Sequence, residues 1–70
     1  MNRKPVSSSN LKSIGYDTDM EILEIEFIGG SVYQYSNVPE DVYSELMSAG
    51  SHGSFFHREI RNTFAYNRVK

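Results

Sequence analysis

The stretch "GGSVYQYSNVPEDVY", residues 29–43, decides the fold, because a chain reversal, a strand and the start of a helix follow one another in it. Gly29 and Gly30 are typical of the tight loop of a β-hairpin. Residues 31–36 place tyrosines two apart, as a strand does when it presents them on one face. Pro39 suits the first turn of a helix, where a missing N–H leaves no hydrogen bond unmade. The sequence therefore predicts a strand that passes directly into a helix.

Two further strands are predicted before the glycines. Residues 21–28 alternate apolar and acidic side chains, the period of two that indicates a sheet with one wet face. Residues 11–16 form the first predicted strand, and the Asp-rich turn "YDTD" joins it to the second. A three-stranded antiparallel meander follows from this order.

The placement of Tyr33 and Tyr35 depends on the length of the hairpin loop. A two-residue turn sets Tyr33 opposite Glu26, on the acidic face. A three-residue loop with a bulge glycine sets Tyr33 opposite Ile25 and Tyr35 opposite Leu23, in the core. We favour the second register, because it gathers the apolar side chains of both strands on one face.

The period changes after the third strand, and two helices are predicted. The first carries an apolar stripe that includes Val42 and Leu46, and it ends at Gly50. Ser51 can cap the second helix. Residues 62–70 either pack back on the domain or pair along a sheet edge. The predicted fold class is α+β with two layers, a three-stranded antiparallel β-meander followed by two helices packed on one face (β-β-β-α-α).

The 70 residues are enough for one domain, which we expect to span residues 10–70 after a frayed N-terminal tail over residues 1–9. The absence of cysteine excludes disulfides and thiolate metal sites. His52 and His57 lie five apart, which does not suit a metal site on one helical face. We expect no cofactor and no enzymatic activity, since no nucleophile and base fall together. With no signal peptide or membrane-spanning run, a cytoplasmic protein is expected.

The charges are unevenly distributed along the chain, although the net charge is only −2. Every acidic residue except Glu59 lies within residues 16–50, where there is no lysine or arginine. The second helix and the C-terminal segment are basic. Arginine side chains there suit the geometry of phosphate, although an ordinary solvated face, or an Arg61 paired within the fold, is the competing interpretation. The candidate nucleic-acid-binding residues are His57, Arg58, Arg61, Arg68 and Lys70.

Four stretches together resemble the KTSC domain family: "IGYD" (14–17), "LEIEF" (23–27), "GGSVYQYSNVP" (29–39) and "SHGSFFHREIR" (51–61). The family is named for its place at the C-terminus of some lysyl-tRNA synthetases, and it also occurs as small bacterial proteins. The chain departs from the family pattern at two positions. Asn or Asp is more usual at Gly29, and Asn is more usual at His57. The residues that carry the signature are Tyr33, Tyr35, Val38, Pro39, Ser51, Gly53, Phe55, Phe56, Ile60 and Arg61.

Two functions of different classes follow from the charge map and the resemblance. The association with a synthetase implies RNA as a partner, which the basic residues would hold by its phosphates. The alternative is a protein-interaction module, a homodimer or a partner-docking domain, that uses an edge strand or an apolar surface and binds no nucleic acid. No membrane or small-molecule partner is expected.

Overall fold

The computed structural model describes all 70 residues as one antiparallel sheet of five strands, in the order of the sequence, with two helices on one face. The predicted α+β class is confirmed, but three strands is too few, because a short strand joins each edge of the meander. The elements are β1 (Arg3–Pro5), β2 (Leu11–Asp17), β3 (Ile22–Phe27), β4 (Val32–Tyr35), α1 (Glu40–Ser48), α2 (His52–Phe55, continued as a π-helical segment Phe56–Ile60) and β5 (Tyr66–Arg68).

The hairpin between β3 and β4 has the three-residue loop. Tyr33 lies opposite Ile25 and Tyr35 opposite Leu23, so the favoured register is confirmed. Gly30 closes the loop with a hydrogen bond from its N–H to the Phe27 carbonyl (3.0 Å). Its φ of 102° is one that L side chains rarely adopt, which explains a glycine at this position. The loop length thus turns both tyrosines toward the helices.

The core lies between the sheet and the two helices. Leu46 of α1 and Ile60 of the π-helical segment are fully buried against the inner face of the sheet. Beside them, the rings of Tyr16 and Tyr43 stack at a centroid distance of 4.7 Å, and the Tyr16 hydroxyl donates to the Val38 carbonyl (2.6 Å). The buried core residues are Leu11, Ile14, Leu23, Ile25, Tyr35, Val38, Leu46, Phe56 and Ile60.

The second helix begins as the sequence predicts and ends in an unexpected way. The Ser51 hydroxyl accepts a hydrogen bond from the Ser54 N–H (3.2 Å), which confirms the cap. From Phe56 onward the helix widens, and the Arg61 N–H bonds the carbonyl five residues earlier, that of Phe56 (3.0 Å). Single π-helical turns often occur at functional sites, where they change the direction of a side chain. Here the widened turn positions Arg61. None of the helices could cross a membrane.

The N-terminus corrects the expectation of a frayed tail over residues 1–9. Strand β1 pairs with β2, and Arg3 reaches over the outer face of the sheet. Its guanidinium bonds Ser13 (3.0 Å) and the carboxylate of Glu24, and it lies 3.7 Å from the carboxylate of Glu26. Gln34 donates to Glu24 as well (2.8 Å). The middle of the outer face therefore carries a connected polar network, held by a residue that the local sequence pattern does not mark as structural.

Candidate functional site

A cleft opens where β4 and β5 meet the end of the second helix. Its volume is about 260 Å³. It combines aromatic rings with one cation and one carboxamide, a mixture that can hold both a flat ring and an anion. We call it the aromatic cleft, and its lining residues are Tyr33, Tyr35, Phe56, Arg61, Asn62 and Tyr66.

The rings of the cleft support one another. Tyr66 lies 5.6 Å from the ring of Tyr33 and 5.6 Å from that of Tyr35, tilted against both. Tyr35 in turn meets Phe56 edge to face at 5.4 Å. Tyr66 nevertheless leaves 57% of its surface exposed. A large aromatic side chain is thus held by its neighbours while much of it stays open to solvent.

Tyr35 has an unusual position for a polar side chain. It is only 3% exposed, and its hydroxyl has no hydrogen-bond partner within the chain. No side-chain polar atom that is sealed from solvent lacks a partner, so this hydroxyl reaches the cleft. Burial raises the pKa of Tyr35 to about 12, helped by Tyr33 and Tyr66 and opposed by the charge of Arg61. At neutral pH the hydroxyl is therefore protonated and able to donate.

Two arginines without a carboxylate partner are relevant to the cleft, Arg61 within its lining and Arg68 on the strand beside it. Arg61 lines the cleft, and the only side-chain hydrogen bond of its guanidinium is to the ring nitrogen Nδ1 of His57 (3.1 Å). Arg68 lies opposite Tyr33 in the sheet, so the two side chains share the inner face. Its Nε donates to the Lys70 carbonyl (3.0 Å). The ion pairs of the chain involve only Arg3 and Arg58, so neither Arg61 nor Arg68 is paired with a carboxylate.

Arg58 is placed differently from the other candidate residues. It pairs with Glu59 at 3.0 Å, lies over the ring of Phe55 at 5.8 Å and does not line the cleft. The adjacent carboxylate of Glu59 offsets the positive charge of Arg58 and so weakens the attraction of Arg58 for a phosphate. The predicted basic set is therefore divided: Arg61 lines the cleft and Arg68 lies opposite Tyr33 on the next strand, while Arg58 and its neighbour His57 lie on the exposed side of the helix.

The signature residues have several roles. Tyr33, Tyr35 and Phe56 line the cleft, so the tyrosines predicted as a folding mark also face the candidate site. Gly53 allows a close approach of the N-terminal segment, since a Cβ there would lie 3.0 Å from the Asn10 side-chain oxygen. Sequence reasoning missed Asn62 and assigned Tyr66 only to a closing segment. Val38 and Ile60 are core, Ser51 caps a helix, and Pro39 precedes α1.

A second, purely polar cleft of about 310 Å³ lies beside the start of the second helix. Hydroxyl groups dominate its lining, and His57 is its only titratable group. No group of histidine, aspartate and glutamate side chains that could hold a metal ion exists in the chain. The lining residues of this second cleft are Ser9, Asn10, Ser51, Gly53, Ser54 and His57.

The fold and the aromatic cleft define a small α+β domain with a five-stranded sheet and an aromatic, basic site at one end. The model of the KTSC domain family matches residues 7–64, and the chain belongs to that family. The resemblance inferred from the sequence motifs is thereby confirmed. A crystal structure of a KTSC domain protein from Yersinia pestis superposes with a TM-score of 0.93 at 46% identity, covering 99% of this chain and 97% of that one.

Relatives of two kinds carry the same domain. An uncharacterised protein of Stutzerimonas stutzeri is 43% identical over 61 residues, which is 87% of this chain and 86% of that protein. A lysine–tRNA ligase of Trichormus variabilis is 39% identical over 61 residues, again 87% of this chain but only 11% of the ligase. The match to the ligase therefore concerns one small part of that enzyme.

Proposed function

We propose that this KTSC domain protein binds RNA through Arg61 of the aromatic cleft and the neighbouring Arg68. The observation that carries the proposal is Arg61, which lines the cleft beside three tyrosines and forms no ion pair, with Arg68 opposite Tyr33 on the same face of the sheet. Guanidinium groups bind phosphate oxygens in a bidentate manner, and aromatic rings accept unpaired bases. An arginine beside an aromatic ring is the combination that single-stranded nucleic acid requires.

The distribution of acidic residues in the fold agrees with this use of the cleft. Glu24 and Glu26 belong to the strand next to β4, and their like charge would repel a polyanion if they shared its inner face. They lie instead on the outer face, where Arg3 bonds one carboxylate and lies beside the other. Glu24 and Glu26 belong to the acidic middle of the sequence, but their negative charges therefore lie outside the cleft.

The relatives support RNA as the ligand over other polyanions. Lysine–tRNA ligases act on an RNA, and several of them carry a segment 36–39% identical to this chain. A cleft that holds RNA would serve such an enzyme as an additional contact with its substrate. The same contact would let this domain bind RNA without the rest of the ligase.

Fluorescence anisotropy with a short labelled single-stranded RNA at low salt tests the proposal. The double variant Arg61→Gln with Arg68→Gln should weaken binding and reduce the slope of log affinity against log salt by about 1.4, since each phosphate contact contributes about 0.7. The variant Lys4→Gln with Lys12→Gln removes the same charge away from the cleft and should bind nearly as the wild type does. Absence of binding by the wild type, or equal losses in both double variants, would refute it.

The alternative, docking of a protein partner or of a second copy, has less support in the geometry. Both edge strands of the sheet are only three residues long, and β1 ends in Pro5. Short edges and edge prolines limit pairing with a further strand. Sedimentation at high protein concentration distinguishes the two functions, because the homodimer hypothesis requires a dimer and RNA binding is satisfied by a monomer.

A further inference from the structure

We propose that the aromatic cleft holds one unpaired nucleotide, its phosphate on Tyr35, Arg61 and Asn62 and its base against Tyr66, so that the domain prefers single-stranded to duplex RNA. This inference rests on the RNA binding proposed above. It adds which part of the RNA enters the cleft and which side chain meets each part.

The phosphate half of the site is built from three donors. The Tyr35 hydroxyl belongs to a side chain that is 3% exposed, yet it has no partner in the protein and reaches the cleft. Arg61 and Asn62 line the same space and offer a guanidinium and a carboxamide N–H. Because this hydroxyl makes no internal hydrogen bond, it gives up no protein acceptor when it donates to a ligand. A phosphate oxygen would satisfy it, and the nearby guanidinium supplies the opposite charge.

The base half of the site is the exposed surface of Tyr66. The ring contacts Tyr33 and Tyr35 at 5.6 Å each and still leaves 57% of the residue open. Because its neighbours already restrain it, little side-chain freedom is lost when a base stacks on it. Stacking of this kind accepts any base, since each base has an aromatic face.

The size of the cleft limits what enters it. Its volume of about 260 Å³ lies below the range of roughly 300–1,000 Å³ that is usual for small-molecule sites. One nucleotide, with part of it at the open rim, suits this space. A base inside a duplex is already stacked on both sides and is not available to Tyr66.

Two substitutions separate the contributions of the two halves. Tyr35→Phe removes only the unpartnered hydroxyl, so we expect an unchanged melting temperature and about tenfold weaker binding of a labelled oligoadenylate. Tyr66→Ala removes the stacking ring and should also weaken binding about tenfold, whereas Tyr66→Phe keeps the ring and the affinity. The matched control is Tyr16→Phe, which loses the hydroxyl bonded to Val38 and should lower stability without changing affinity.

The comparison of RNA forms completes the test. The wild type should bind the oligoadenylate at least about tenfold more tightly than the same oligomer annealed to its complement. Two results would overturn the nucleotide site and leave RNA binding in place. The first is equal affinity for the single-stranded and the duplex form. The second is normal binding by Tyr35→Phe and Tyr66→Ala while Arg61→Gln binds weakly. Absence of binding to either form by the wild type overturns the proposed function together with this inference.

Discussion

Substitution of Arg3 by methionine tests the account of the outer face. Arg3 joins the first strand to the middle of the sheet by donating to Ser13 (3.0 Å) and to the carboxylate of Glu24. The Glu24 side chain is only 10% exposed. Methionine keeps an unbranched apolar side chain of comparable length but offers no donor, so Glu24 retains only the hydrogen bond from Gln34 (2.8 Å).

The expected loss of stability follows from the burial of the two partners. Breaking a fully buried ion pair by removing one partner costs about 3–5 kcal/mol, and a hydrogen bond to a charged group contributes about 1.5–3 kcal/mol. The Arg3 side chain is 31% exposed, so water replaces part of what is lost. We expect the free energy of unfolding to fall by about 2 kcal/mol at neutral pH. That corresponds to roughly 8–16 °C in melting temperature for a domain of this size.

The same substitution should have less effect in acid. Burial by itself raises the pKa of Glu24, but the hydrogen bonds from Gln34 and Arg3, with the charge of Arg3, outweigh it and lower the pKa below its ordinary value of 4.5. A carboxyl group with a lowered pKa stabilises the fold above its ordinary pKa, and that stabilisation is lost as the pH falls through the lowered value. The difference between wild type and Arg3→Met should therefore shrink below about pH 4.5.

Urea denaturation at neutral and at acidic pH measures both effects. Lys4→Met is the matched control, because Lys4 lies on the same strand, is exposed and makes no ion pair. A double-mutant cycle of Arg3→Met with Glu24→Gln isolates the coupling between the two side chains. Equal midpoints for wild type and Arg3→Met at neutral pH, or an equal loss for Lys4→Met, would refute the reasoning.

Three further predictions concern the helices and the cleft. Ser51→Ala removes the acceptor of the Ser54 N–H and should cost about 1 kcal/mol in urea denaturation, which Ser51→Asp should largely restore; an unchanged midpoint for Ser51→Ala would contradict the cap. Leu46→Ala empties a fully buried position and should cost about 2–5 kcal/mol, and a loss below 1 kcal/mol would contradict the core described above. In an ultraviolet titration Tyr35 should ionise near pH 12. The free energy of unfolding should decrease as the pH rises from about 10 to 12, because Tyr35 ionises at a lower pH in the unfolded chain than in the folded one. An ultraviolet titration that is unchanged in Tyr35→Phe would contradict this.

The central hairpin could be predicted from the sequence because only one register satisfies its pattern. Leu23 and Ile25 alternate with Glu24, and a shift by one residue would have placed the tyrosines of β4 on the acidic face. The two registers differ in which side chains they bury, and the pattern of apolar residues indicates which side chains are buried. The Ser51 cap and the Gly30 turn were predictable because both act through their own backbone neighbourhood, whereas the first helix ends at Ser48 with Ala49 as its C-cap and not at Gly50.

The edge strands were less predictable: β1 was expected to be a frayed tail, and edge pairing was only one of two alternatives for residues 62–70. Strand β1 has the sequence Arg-Lys-Pro, which has no apolar alternation, and its cross-sheet anchor is a contact between Arg3 and a residue 21 positions away. Strand β5 exposes all three of its residues. Pairing of this kind depends on the sheet that is already formed, and a local pattern does not report it.

The candidate site was predictable in part for the same reason. Arg61 and Arg68 were identified by their charge, and Tyr33 and Tyr35 by their spacing. These side chains come close together because β5 pairs with β4 and brings Tyr66 alongside it. The π-helical turn that positions Arg61 has no sequence signal that we identified.

Backbone-amide NMR during titration with the single-stranded oligoadenylate would show whether RNA binds at the aromatic cleft, because it reports where RNA contacts the protein. The account predicts the largest shifts at Arg61, Asn62 and Tyr66, with little change at Lys4 or Lys12. Shifts confined to the outer face of the sheet, or no shifts at a saturating RNA concentration in low salt, would contradict it.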